Sequence, residues 1–403
     1  MPDNAPLDLA SLTDFDLEEI AQWLSDNVSN MLDDLKQLVE LESPSLDIKR
    51  LNSCADWLEG WVSERLGADI GIQSLSHDKY GRTLIVDIPP VLETSVETKV
   101  LLLGHFDTVW PAGTLDEMPF SIKNDTIRGP GVFDMKSGII QAVWAIKLLR
   151  DRGMPLPSIT FLLNPDEEVG SISSKDAIQE AGRNHDTVVV MEPSVDGALK
   201  TSRRGAGIFR ADFLGREAHA GVEPEKGASA ITALGEFIDY ANHLASPKHG
   251  TSINVGIVNG GTTTNVVAGQ AQAAIDIRIA TNNEKARVEE AFRAFTPSDR
   301  RVRYSVNCSW NRPPMNRTSE IAQAFDDVRQ VGRRLGLELK EAHSGGFSDG
   351  NLVAMNGKQV IDGFGAVGAG AHQREEHALV SGMLERTKLF ALYLATRGDV
   401  APQ

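Results

Sequence analysis

Short apolar runs, each ending on an acid or a histidine, constrain this chain more than any other feature of it. Leu101-Leu102-Leu103-Gly104 runs into His105 and Asp107, the run closing at Leu163 into Asp166-Glu167-Glu168, and Val188-Val189-Val190-Met191 into Glu192. Runs of this length, rich in Leu, Ile and Val, read as buried parallel strands, and in open α/β sheets ligands bind beyond the carboxyl ends of such strands. Asp134 lies between the first two runs, in Gly129-Pro130-Gly131-Val132-Phe133-Asp134-Met135-Lys136. Several carboxylates and an imidazole forced together there repel one another unless a cation neutralises them, so the pattern implies a metal site.

At 403 residues the chain is too long for one ordinary core, and two domains are expected. Its formal net charge of -16 argues against nucleic acid or an anionic membrane as partner. No run approaches the roughly 20 apolar residues that span a bilayer. The acidic start Met1-Pro2-Asp3-Asn4-Ala5-Pro6 has no basic region followed by an apolar stretch, so no signal peptide is expected. The two cysteines, Cys54 and Cys308, lack the spacing of a zinc ribbon or redox pair, which points to a reducing, cytoplasmic setting.

Apolar positions at helical spacing predict helices over 17–42, where Pro44 stops the pattern, and around 51–66. Strands at 83–88 and 99–103, a helix over 136–149, strands ending near Leu163 and Met191, and a helix between them give a β/α alternation. After about Arg204 the order becomes strand 208–214, helix 228–244, strands 252–258 and 270–279, helix 284–295 and strand 302–308. That is the order of a split βαβ, ferredoxin-like α+β unit, so an inserted domain over 204–315 is expected between 1–203 and 316–403. A helix at 319–335, a loop at 343–350, a short strand at Val360-Ile361 and a helix at 383–396 resume the first fold.

His105 and Asp107 are two apart, so they share one side of an extended segment; one can ligate metal while the other orients the imidazole. Adjacent Glu167 and Glu168 diverge outside a helix, which suits one carboxylate on metal and the other free to take a proton. Pro193 holds the chain extended after Glu192. His372 follows Gly368-Ala369-Gly370-Ala371, whose small residues let the chain approach a crowded centre.

The motifs Gly104-His105-Phe106-Asp107-Thr108-Val109, Gly129-Pro130-Gly131 to Asp134-Met135-Lys136-Ser137-Gly138, Asp166-Glu167-Glu168-Val169-Gly170 and Met191-Glu192-Pro193 resemble those of the cocatalytic dizinc amidohydrolases. That family includes glutamate carboxypeptidases of the carboxypeptidase G type, aminoacylases and succinyl-diaminopimelate desuccinylase, and the resemblance runs from about residue 30 to 398. It implies a zinc-exopeptidase-like fold, with a mixed, mostly parallel sheet flanked by helices. It also implies two Zn²⁺, replaceable by Co²⁺ or Mn²⁺, with Asp134 bridging, His105 and Glu192 completing one site and Glu168 and His372 the other. Glu167 becomes the general base, and Asp107 the residue that holds His105. The inserted domain becomes a lid and homodimer interface, with His219 in Glu217-Ala218-His219-Ala220-Gly221 reaching the partner's site to stabilise the oxyanion.

By the same resemblance Asn265, Arg278 and the glycines Gly345 and Gly346 lie near a substrate carboxylate, for which the fork of an arginine is suited. Lys200 and Arg312 stand at positions that can meet an acidic side chain. Phe347-Ser348 departs from the Gly-Gly-Thr-Asp run of the carboxypeptidase G type. The implied substrate is a small peptide or N-acyl amino acid, cleaved next to a free carboxylate to release a residue such as glutamate. The alternatives are an N-acyl-amino-acid amidohydrolase or dipeptidase, and, in another class, a non-catalytic metal-binding protein on the same scaffold. Gly363-Phe364-Gly365-Ala366-Val367-Gly368 fits the dinucleotide fingerprint in form, but no helix with a ribose-binding acid is expected after it.

Overall fold

A computed structural model describes residues 13–91, 98–355 and 357–398. The hexapeptide Met1 to Pro6, from which the absence of a leader was read, lies outside the described residues. The first 203 residues run α1 (Asp14–Glu40), α2 (Ile48–Leu66), β1 (Gly71–Leu75), β2 (Thr83–Ile88), β3 (Lys99–His105), β4 (Ser121–Lys123), β5 (Thr126–Arg128), α3 (Ser137–Asp151), β6 (Ser158–Asn164), α4 (Lys175–Asn184), β7 (Thr187–Val190) and β8 (Leu199–Arg203). Next come β9 (Gly205–Leu214), α5 (Ala230–Leu244), β10 (Ser252–Gly260), β11 (Gln270–Ile279), α6 (Asn282–Ala294) and β12 (Arg303–Arg312). The order ends with α7 (Ser319–Arg334), β13 (Glu341–Ser344), α8 (Gly350–Ala354), β14 (Gln359–Asp362), β15 (Gly368–Ala369), β16 (His377–Leu379) and α9 (Val380–Ala395).

The chain forms two compact units: one of the described residues up to Thr201, Arg317–His343 and those from Ser348 onwards, the other of Ser202–Asn316 and Ser344–Phe347. In the first, eight strands lie in the order β1-β2-β6-β3-β7-β14-β8-β13. The centre is parallel (β6 with β3, β3 with β7, β7 with β14), and β1, β2 and β8 join it antiparallel. The apolar runs of the sequence are the three central strands β6, β3 and β7, which read as near-continuous hydrophobic segments because both faces are covered. Helix α3 is apolar almost all round and is accordingly buried, packed among α1, α2 and α9. Thr13 caps α1 through a capping box with Asp16, and Asp47 caps α2 by accepting from the Arg50 N–H.

Register turns this sheet into a ruler. His105 stands opposite Asn164 on β6, and Leu103 opposite Val190 on β7, so three strands end at one level. A slip of one residue would send every side chain of a strand to the other face and take His105 off the level of its neighbours. A smaller sheet, β15-β16-β5-β4, pairs His377 with Arg128. The sequence pattern missed these two- and three-residue strands, together with β1, β8 and β13. The stretch expected as a loop at 343–350 instead begins in β13 and ends at the start of α8, where the Ser348 N–H donates to Asn351 Oδ1 at 2.9 Å.

The second unit has the order strand, helix, strand, strand, helix, strand, with its antiparallel sheet arranged β10-β11-β9-β12. Alternate residues of β9 and β11 are buried, as a sheet covered on one face requires. Its core joins alanines and isoleucines to an aromatic group, Phe209, Phe213, Phe237, Phe292 and Phe295 with the partly buried Tyr304, in edge-on or tilted contacts. Among the described residues no helix is long and apolar enough to cross a membrane.

Candidate metal centre

The three strand ends deliver their acids to one place. His105 is the last residue of β3 and is buried, with Nε2 3.3 Å from Asp134 Oδ1 and 3.5 Å from Glu192 Oε1. The other Asp134 oxygen, Oδ2, lies 3.4 Å from His372 Nε2, which in turn is 3.1 Å from Glu168 Oε2. One carboxylate therefore faces two imidazoles, and each imidazole has a further carboxylate of its own. Glu167 is also within 4.8 Å of His105 and Glu192, and Asp134 and Glu168 are equally close to His105, so both glutamates of the pair lie within reach of His105.

Asp107 is fully buried. Its Oδ1 stands 3.3 Å from His105 Nδ1 and accepts the Glu167 N–H at 3.1 Å, while Oδ2 accepts the Glu168 N–H, also at 3.1 Å. The carboxylate thus steadies the ring and pins the turn carrying both glutamates to the end of β3.

Glycines allow the crowding at the end of β7. A Cβ on Gly138 would come within 2.1 Å of the Met191 carbonyl oxygen, and one on Gly365 within 2.2 Å of the same atom. Gly365 also donates its N–H to the Glu192 carbonyl at 2.9 Å. The fingerprint-like Gly363 to Gly368 run is explained by this close approach beside Glu192. His372 itself takes a left-handed backbone, φ 62°, just after Gly370 at φ 83°.

The electrostatics are those of a site built for cations. Burial alone would lower the His105 pKa, but the carboxylates of Asp107, Asp134 and Glu192 hold it well above its ordinary value. The carboxylates of Asp134 and Glu168 raise His372 to about 11. Burial pushes Glu168 up to about 7, although His372 pulls the other way. Asp134 is partly buried, which raises its pKa, yet the two imidazoles hold it below the usual carboxylate range. Among the described residues the buried atoms His105 Nε2 and Asp134 Oδ1 have no hydrogen-bond partner. Two imidazoles with three carboxylates form a nitrogen and oxygen donor set of the kind that takes zinc, and orphaned atoms aimed at one another fit such an occupant.

Two further acids belong to this neighbourhood and were not singled out in the sequence, although Asp349 closes the segment compared with the Gly-Gly-Thr-Asp run. Asp349, buried, lines one small cleft with His105, Glu167 and Glu192 and accepts from Ser171 Oγ at 2.5 Å. Glu376, also buried, accepts from the loop that carries Asp134.

The remaining residues singled out in the sequence lie as follows. Lys200, expected to meet an acidic substrate group, is buried with Nζ 3.6 Å from Glu192 Oε2, so its charge is directed at that carboxylate. In the second unit, His219 pairs with Val266, and the Asn265 carbonyl accepts the Ala220 N–H, so the His219 and Asn265 segments lie side by side. Arg278 holds Asp276 through two 2.9 Å bonds and stacks 4.9 Å over Phe347. Arg312 is fully buried, with its guanidinium 5.3 Å from the same ring. Gly345 and Gly346 are exposed in the same unit, immediately before Phe347.

Known proteins share this arrangement of sequence and fold. Carboxypeptidase G2 of Pseudomonas sp. (strain RS-16) is 27% identical over 389 residues, covering 93% of this chain and 90% of that protein. A succinyl-diaminopimelate desuccinylase of Dechloromonas aromatica is 29% identical across 72% of this chain and 80% of its own. Among solved structures, aminopeptidase PepT of Bacillus cereus superposes with a TM-score of 0.76 at 21% identity, over 93% of this chain and 99% of that one. The profile of Peptidase family M20/M25/M40 matches residues 101–396. The chain belongs to that family and is a metal-dependent peptidase or amidohydrolase.

Proposed function

We propose that this protein is a dizinc hydrolase that cleaves an amide bond next to a free carboxylate and releases a C-terminal residue such as glutamate. The observation that carries the reading is the division of Asp134, whose two oxygens face His105 at 3.3 Å and His372 at 3.4 Å, with Glu192 and Glu168 behind them. His105, Asp134 and Glu192 would hold one ion, and Asp134, Glu168 and His372 the other. Bound there, the ions would supply Lewis acidity to the scissile carbonyl and make water more acidic. Glu167, buried beside them, takes the proton from water and passes it to the leaving amine. Asp107 keeps the His105 ring and the Glu167 backbone in register.

Carboxypeptidase G2 as a relative supports the free-carboxylate preference, and Arg278, Arg312, Asn265, Gly345 and Gly346 are proposed to serve it. The second unit is proposed as the lid and homodimerisation element, with His219 acting on the developing oxyanion. The free thiols of Cys54 and Cys308 suit the reducing cytoplasm proposed as the enzyme's setting. A second reading, an N-acyl-amino-acid amidohydrolase, is favoured by the desuccinylase likeness and by Phe347 in the glycine-rich segment.

One combined measurement tests these proposals: metal stoichiometry of the purified chain, with hydrolysis of acyl-glutamate, acyl-alanine and acyl-glutamate whose C-terminal carboxylate is amidated. Two ions per chain and loss of turnover on amidation support the carboxypeptidase reading. Turnover indifferent to that carboxylate would sink it, and preference for the acyl side alone would favour the second.

A further inference from the structure

We propose that Glu376 is a positioning residue that sets the separation of the two metal sites, an inference that rests on the two-metal reading above. Its side chain, 1% exposed, is saturated by four N–H donors. Oε1 accepts from the backbone of Phe133 at 3.0 Å and of Asp134 at 3.1 Å. Oε2 accepts from the backbone of Gly131 at 3.1 Å and from Trp110 Nε1 at 2.8 Å. Three of the four donors belong to the loop that presents Asp134. Gly131 opens that loop at φ 76°, a conformation that turns successive N–H groups towards one anion.

The other end of Glu376 belongs to the loop that presents His372. That loop is closed by the Gln373 N–H on the Gly370 carbonyl at 2.9 Å and the Glu376 N–H on the Gln373 carbonyl at 3.0 Å. The small sheet explains why the two loops meet. β5 and β16 are antiparallel with Arg128 opposite His377, so the residues just after β5 and the residue just before β16 leave the sheet at one edge. Glu376 bridges them there, and the bridging Asp134 and the His372 imidazole are spaced by one buried carboxylate. Glu376 touches no reacting atom; it acts through Asp134 and His372. Partners of metal ligands fix ligand orientation, and losing them lowers metal affinity by about 10- to 100-fold.

The conservative variant isolates this role. In Glu376→Gln the amide oxygen can still accept from Phe133 and Asp134, but its NH₂ then faces the Gly131 and Trp110 donors. Trp110→Phe removes one donor and leaves the three backbone bonds intact. The metal-stripped full-length chain is titrated with Co²⁺, reading the d–d absorption of each step, and melted in parallel without metal. The expected result for Glu376→Gln is two steps with a changed spectrum and an affinity about 10- to 100-fold weaker at the step that engages His372, while Trp110→Phe stays within about threefold of wild type. Glu376→Ala should exceed Glu376→Gln; if it does not fold, Glu376→Gln and Trp110→Phe still decide the question.

Both steps within about twofold of wild type in Glu376→Gln, with only the melting temperature lowered, would overturn the proposal and leave the two-metal reading intact. A loss in Trp110→Phe as large as in Glu376→Gln would also overturn it, by assigning the effect to Trp110 packing. A wild-type chain that takes up fewer than two ions would bring down both.

Discussion

Replacing Gly138 by alanine tests whether close approach at the end of β7 holds the centre together. The added methyl would stand 2.1 Å from the Met191 oxygen, 3.1 Å from its carbonyl carbon and 3.2 Å from its Cβ, and Cβ atoms are essentially never found within 3.0 Å of such neighbours. At least 3.0 − 2.1 = 0.9 Å of movement is required. The strand is poorly placed to provide it: the Met191 N–H is bonded to the Leu103 carbonyl at 2.9 Å, and Gly365 closes the same carbonyl oxygen from another direction. The first turn of α3 must therefore yield, and it follows Asp134 by only three residues, so Asp134 and Glu192 are pulled out of step around His105. Helix propensity favours alanine by up to ~1 kcal/mol, but overpacking of this kind costs about 1–3 kcal/mol. A net loss of about 1–2 kcal/mol is expected in urea unfolding of the metal-free protein. A misplacement near 1 Å should lower kcat/KM on the best substrate by about 10²-fold. A Gly138→Ala protein as stable as wild type and equally active would refute the argument, because propensity would then have outweighed the contact.

Three other outcomes follow from the site. Asp107→Asn leaves a side-chain NH₂ facing the N–H of Glu167 or Glu168, so chemical denaturation should register a loss of about 1–3 kcal/mol; an unchanged midpoint would count against the pinning role. Glu167→Gln should keep full metal content by elemental analysis while turnover falls by about 10²- to 10⁴-fold, and retained turnover would remove Glu167 as the base. Glu168, with its pKa raised from 4.5 to about 7 in the metal-free fold, contributes stability that is fully present below pH 4.5 and is lost as pH rises through 7. His372, raised from 6.5 to about 11, contributes in the same sense, fully below pH 6.5 and lost towards 11. Metal uptake must expel these protons, so affinity should rise with pH and titration calorimetry in buffers of different ionisation enthalpy should show proton release; no release would contradict the shifts.

The central strands and the ligand-type residues at their ends were legible because an apolar run and the polar residue that follows it are both local facts. The edge strands were not. β13 is four residues long and the strands of the small sheet two or three, and their pairing is decided by distant partners rather than by pattern. Glu376 sits in Arg374-Glu375-Glu376, a charged run that reads as solvated, and only the fold reveals that one of the three is buried under backbone N–H groups. That Lys200 lies 3.6 Å from Glu192 is not legible either, because β8 is placed by its pairing with the distant β14. Arg278 is different. Asp276 and Arg278 are two apart on β11 and therefore share a face, so the bidentate pair was available to the same rule that joined His105 to Asp107.

The β5 and β16 pairing has a consequence for the order in which the centre can be completed. A chain synthesised as far as β8 already carries His105, Asp107, Asp134, Glu167, Glu168 and Glu192, five carboxylates around a single imidazole. It lacks β14, which pairs with β7, and it lacks the strand that brings the second imidazole. Mutual repulsion of these carboxylates, offset only at Glu192 by Lys200, opposes closing such an assembly before residues 372–379 dock against β5. The last imidazole thus acts as a clasp, and a centre able to hold two ions is itself a report that the distant halves of the sequence have met.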